Sequence, residues 1–140
     1  DIGVSRGLGD VYKRQTVYMA ESNRSNVSLA SKWSQLRGYD LVHFKSYIDK
    51  KPTYHTNVLM FITDKFAGIC FDSISDSKYL LSNIKKTHKI LNLSIEQVKN
   101  FSGNAIVVRN INNEAKFLIS KWFSSLHAAR IILDKYIYQN

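Results

Sequence analysis

The stretch His55-Thr56-Asn57-Val58-Leu59-Met60 returns 47 residues later as Ser102-Gly103-Asn104-Ala105-Ile106-Val107. Lys65-Phe66 likewise returns as Lys116-Phe117, after a small insertion at Asn110 to Asn113. A period of this size marks an array of supersecondary modules, none of which can bury its apolar face alone. Working outward, short runs rich in Val, Ile, Phe or Tyr predict strands at Thr16 to Ala20, Asp40 to Lys45, His55 to Ile62, Lys65 to Phe71, Lys89 to Leu93, Asn104 to Arg109 and Ala115 to Ser120. Helical spacing falls between them: Leu29, Trp33, Leu36; then Leu80, Ile84; then Trp122, Leu126, Ala129, Leu133, Tyr136. Asn26 and either Ser75 or Asp76 are expected N-caps, and Ser94 with Gln97 a capping box. The recurring order is strand, strand, helix, strand. Thr16 to Lys45 reads as a partial earlier copy, and the strand opening at Ile90 corresponds to Ile137 near the end. The fold class expected is α/β, with about two and a half such modules, as in a slice of a larger repeat protein. A one-domain mixed α/β sandwich is the blander reading.

Composition bounds the function. The chain has 140 residues, one Cys and one Pro, 44% apolar and 22% charged residues, and a net charge of +9. A single Cys excludes an internal disulfide, and no apolar run approaches the roughly 20 residues of a membrane helix. A reducing, cytoplasmic setting is the default expectation. Residues 1–15 lack a signal-peptide pattern. Their Asp10-Val11-Tyr12-Lys13-Arg14-Gln15 resembles the translation of a sequencing-library transposon end, so 1–15 is read as an artefactual leader and 16–140 as a fragment of one domain. The glycines of Gly7-Leu8-Gly9 are no phosphate loop, since no strand precedes them and no Lys-Ser/Thr follows. Without the leader the charge is +8, and it is scattered rather than aligned on one helix face.

Among groups able to do chemistry, His55 stands out, at the mouth of a predicted strand after the turn Lys50-Lys51-Pro52-Thr53. An imidazole there suits proton transfer; the blander alternative is a hydrogen-bonded structural histidine. His43 alternates with Val42 and Phe44 on a strand, His88 is expected in the last turn of a helix, and His127 faces outward beside Leu126. No histidine or cysteine spacing fits a metal, so neither metal nor other cofactor is expected. Cys70, within Gly68-Ile69-Cys70-Phe71, reads as a buried small hydrophobe with a raised pKa rather than a nucleophile.

The block Tyr54-His55-Thr56-Asn57-Val58-Leu59-Met60, then Phe66 through Ile74, Leu93 through Val98 and Phe101-Ser102-Gly103-Asn104, resembles the citrulline-utilisation hydrolase branch of the arginine deiminase and amidinotransferase (pentein) superfamily. Similarity spans roughly residues 16 to 126. The resemblance implies a five-module α/β propeller. It also implies a reaction in which a Cys attacks a guanidinium carbon, ammonia or an amine leaves, and a His acts as acid and then as base. His55 matches the catalytic His. Arg24, in Ser22-Asn23-Arg24-Ser25-Asn26, resembles the arginine that binds the substrate carboxylate, with a solvated helix-start arginine as the alternative. Asn57 stands where arginine deiminases carry an Asp against the guanidinium. The catalytic acid would lie upstream of Thr16 and the nucleophile in a glycine-rich motif after Asn140, while Cys70 matches a strand Cys of the family.

The expected function is therefore hydrolysis of carbon–nitrogen bonds in a guanidine compound, with His55 catalytic and Arg24 and Asn57 binding substrate. The 140-residue chain itself is expected to be inactive. The expected partner is a small guanidine molecule in the complete enzyme, not a membrane or nucleic acid, with a homo-oligomer left open. Two alternatives stand beside it. One is a basic nucleic-acid-binding module, motivated by the charge and by the aromatics among lysines from Lys45 to Tyr54. The other is a non-catalytic family member.

Overall fold

The computed structural model describes residues 3–4, 15–112 and 115–118. The helical stripe expected from Trp122 to Tyr136, with His127, Ile137 and the end of the Ala115 to Ser120 strand, lies outside the described residues, as does most of residues 1–15. Strand β1 (Gly3–Val4) pairs antiparallel with β2 (Thr16–Glu21), which pairs in parallel with β3 (Asp40–Lys45). A parallel pair needs a crossover, and helix α1 (Val27–Arg37) supplies it. A tight hairpin of β4 (Tyr47–Ile48) and β5 (Lys51–Pro52) follows. The scheme then repeats: β6 (Met60–Ile62) is antiparallel to β7 (Phe66–Ile69), and β7 is parallel to β8 (Lys89–Asn92) across helix α2 (Ser77–Ile84). Even the register is shared, since Thr16 faces Asp40 and Phe66 faces Lys89, each the first residue of its strand. After helix α3 (Ile95–Lys99), β9 (Ile106–Arg109) and β10 (Ala115–Leu118) form a third antiparallel pair. The 47-residue repeat is thus the opening hairpin of a module, and the described architecture is mixed α/β with no closed sheet.

Local chemistry accounts for the helix ends. The Asn26 side chain accepts from the Leu29 N–H, and Gly38, at φ 69°, returns its own N–H to the Gln35 and Ser34 carbonyls. Ser94 and Gln97 form the expected capping box. Asp76 occupies the N-cap position of α2 without a side-chain cap bond. Leu80 and Ile84 of α2 join Val42, Phe44, Leu59, Met60, Ile69 and Cys70 in one buried cluster that spans the first two sheets. No helix among the described residues is long and apolar enough to cross a membrane.

Several expectations need correction. The strand read from His55 to Ile62 is half a 3₁₀ turn, Thr56–Val58, with only Met60–Ile62 extended. Within this turn the Thr56 hydroxyl accepts the buried Ala20 N–H at 2.9 Å, a tertiary bond to β2. The run from Lys65 to Phe71 likewise ends in a 3₁₀ turn, Phe71–Ser73. In α1 the stripe of Leu29, Trp33 and Leu36 is not the packing face: Leu29 is 68% and Leu36 86% exposed, whereas Ala30 and Ser34 are buried. Small side chains let the helix backbone approach β3 closely. His88 lies beyond α2, which ends at Ile84, so burial and not the helix dipole governs it; burial pushes its pKa below 6.5 against the opposing Thr63 backbone and Asp64.

Candidate active site

Strands β2 and β3 run parallel and end together, with Glu21 opposite Lys45. The chain beyond each end is folded back toward this edge. After β2, Ser25 N–H bonds the Ser22 carbonyl at 3.0 Å, closing a turn that carries Arg24. After β3, the β4–β5 hairpin reverses the chain so that Thr53 N–H reaches the Ser46 carbonyl at 3.0 Å, delivering Tyr54 and His55 to the same edge. Carboxyl ends of parallel strands are the usual place for ligand chemistry in α/β folds.

The Ser22 hydroxyl ties the two segments. It donates to the Tyr54 carbonyl at 3.1 Å and accepts from Arg24 N–H at 3.1 Å. A hydroxyl has one hydrogen, so its 3.1 Å contact with Ser25 Oγ must be a bond donated by Ser25. Arg24 Nη1 then lies 3.2 Å from His55 Nε2. Guanidinium only donates, so Nε2 accepts and the imidazole proton sits on Nδ1. That Nδ1 is buried and has no hydrogen-bond partner among the described residues. The Tyr54 ring packs edge-on against His55 at 4.9 Å and lies under the Arg24 guanidinium at 5.4 Å.

The structure therefore brings Arg24 and His55 into contact. Asn57 is two residues on, half-buried in the 3₁₀ turn. Among the described residues Arg24 has no carboxylate partner. The arrangement can bind an anion through Arg24 and move a proton at His55 Nε2 once Arg24 withdraws its own hydrogen from that lone pair.

Cys70 is fully buried, and burial pushes its thiol pKa up against weaker hydrogen bonds from Ser73, which fits the small-hydrophobe reading. His43 is exposed and bonds Glu21 Oε1 at 2.7 Å. No group of three or more His, Cys, Asp or Glu among the described residues could hold a metal. Sequence reasoning assigned no role at this site to Ser22, Tyr54 or Gly103. The first was legible as a serine two residues before Arg24, the spacing of a side-chain-closed turn. The last was legible as a glycine between polar residues at a strand entry.

A family model described as N,N dimethylarginine dimethylhydrolase, eukaryotic, matches residues 10–137, most of the chain. Comparison with curated proteins returns no match.

Proposed function

Because this chain belongs to the N,N-dimethylarginine dimethylhydrolase family, a pentein-superfamily group of guanidino-compound hydrolases, we propose that Arg24, His55 and Asn57 form the carboxylate-anchoring and proton-transferring part of a guanidine site. The observation that carries this reading is the 3.2 Å contact of Arg24 with His55, 31 residues apart in sequence. A substrate α-carboxylate is a better acceptor for guanidinium than an imidazole lone pair, so substrate binding draws Arg24 off Nε2 and frees it. The freed Nε2 takes the proton of the nucleophilic thiol, and the imidazolium so formed protonates the amine that leaves once the thiolate has added to the guanidinium carbon. His55 next takes a proton from the water that attacks the resulting thiouronium carbon, giving a ureido product and the restored thiolate. The buried Nδ1–H fits an orienting acceptor, as a carboxylate provides in other histidine sites. Asn57 offers the guanidinium a neutral amide in place of a carboxylate.

Cys70 is not the nucleophile in this reading, because a buried thiol with raised pKa holds little thiolate. It is the chain's one cysteine, so the 140 residues alone are expected to bind but not to turn over. Within the same proposal the chain belongs to the citrulline-utilisation branch, and its modules are part of a five-module propeller.

The site is tested by titrating the chain, observed by NMR, with arginine, N,N-dimethylarginine and agmatine, which lacks the carboxylate. Arginine or its dimethyl analogue should move the Arg24 side-chain and His55 signals, and agmatine should move them far less. No shift with any of the three at millimolar concentration would sink the site. Ureido product formed by the chain would sink the inactivity, and its loss in the Cys70→Ser variant would point to Cys70 as the nucleophile.

A further inference from the structure

Gly103 is buried against the backbone of the 3₁₀ turn that follows His55. A Cβ at this position would lie 2.1 Å from the Val58 carbonyl oxygen, 2.6 Å from its carbon and 2.9 Å from Leu59 N. These are main-chain atoms, which no change of rotamer can move aside. Gly38 is the described glycine with positive φ, so Gly103 is not needed for its backbone angles and is needed for space.

Both sides of the contact are fixed. On one side, Phe101 N–H bonds the Val98 carbonyl at 2.9 Å, Ser102 N–H the Gln97 carbonyl at 3.0 Å and Asn104 N–H the Phe101 carbonyl at 3.1 Å, which anchors the 101–104 turn to the end of α3. On the other, Val58 N–H bonds the His55 carbonyl at 3.2 Å and Leu59 N–H the Thr56 carbonyl at 3.2 Å. Displacement of the Val58 peptide is thus passed directly to the His55 main chain.

We propose that the Phe101–Asn104 turn is the template on which the Thr56–Val58 turn is set, and that Gly103 is a positioning residue for the His55 imidazole. This explains why the two motifs related by the 47-residue repeat occur together: one copy holds the histidine and the other packs a glycine beneath it. The inference rests on the catalytic reading of His55 only for its consequence, since a misplacement of about 1 Å in a reacting group can cost about 10²-fold in rate.

The test is imidazole ¹⁵N NMR of the chain at alkaline pH, comparing wild type, Gly103→Ala and Gly38→Ala. Gly38→Ala is the control, because it strains a φ of 69° with nothing within 4 Å of the new Cβ. Wild type and Gly38→Ala should show the Nδ1–H tautomer of His55 that Arg24 imposes. Gly103→Ala should lose that signature as Nε2 is released. Unchanged His55 signals in folded Gly103→Ala, or equal changes in both variants, would overturn the proposal. If Gly103→Ala does not fold, hydrogen exchange on the wild type decides: the Val58 and Leu59 amides should open together with those of Ser102 and Asn104, and independent opening rejects the template. These signals report where His55 sits whether or not it transfers protons, so a failed substrate titration leaves this inference standing, and the reverse.

Discussion

Ser22 has one hydroxyl hydrogen and two lone pairs, and all three are engaged: Tyr54 carbonyl, Arg24 N–H and Ser25 O–H. Removing the hydroxyl unties Arg24 from the His55 segment without touching either side chain. Ser22→Ala should weaken binding of an arginine analogue by about 1 kcal/mol, roughly fivefold, and Ser22→Thr should restore most of it; calorimetric titration measures both. At His88 the residue scale reaches stability. Its folded pKa is lowered by burial, so on acidification the unfolded chain takes up a proton first, near the ordinary value of 6.5, and the native state later. Stability is unaffected by this group above that value and falls as pH drops through it. Urea midpoints at about pH 7.5 and about pH 5.5 should therefore differ less in His88→Gln than in wild type. Arg24 and His55 were legible as residues because their local motifs carry them. Their mutual contact was not, because they stand 31 positions apart with a helix and three strands between them.

Among the elements, the β4–β5 hairpin bears the delivery of His55, and it does so through a strained turn. Asp49 and Lys50 have φ of 50° and 63°, the two positive values of a type I′ turn, where glycine is preferred at the second position. Asp49 also holds Lys99 Nζ at 2.6 Å, an exposed pair of small worth. Lys50→Gly should relieve the left-handed strain at the price of some unfolded-state entropy, a net gain of about 0.5 kcal/mol seen as a higher urea midpoint. Helix α1 shows how far element existence and element packing part company. Asn26 and Gly38 mark its ends in the sequence, yet its large apolar residues Leu29 and Leu36 face solvent and Ala30 and Ser34 face inward. Periodicity measures spacing; the contact distance to β3 selects which side chains fit.

For the whole molecule, Thr56 supplies a buried hydrogen bond between the first two modules, its hydroxyl accepting the Ala20 N–H. Thr56→Val keeps the shape and leaves that N–H unpaired, which should cost about 1–3 kcal/mol in chemical denaturation, while Thr56→Ser should cost much less. The sequence by itself determined the module order, the crossover helices, the caps of α1 and α3, and the correspondence of the β6–β7 hairpin with its copy β9–β10. These rest on local chemistry: side-chain period, capping oxygens and turn residues act within a few positions of the chain. The tertiary structure alone decided that His55 opens a 3₁₀ turn instead of a strand, that Arg24 donates to its Nε2, and that Gly103 lies under Val58. Each of these is settled by an atom from a distant segment, through a buried hydrogen bond or a close backbone approach. Such a contact overrides β-propensity because leaving its buried polar group unpaired costs more than the propensity gains.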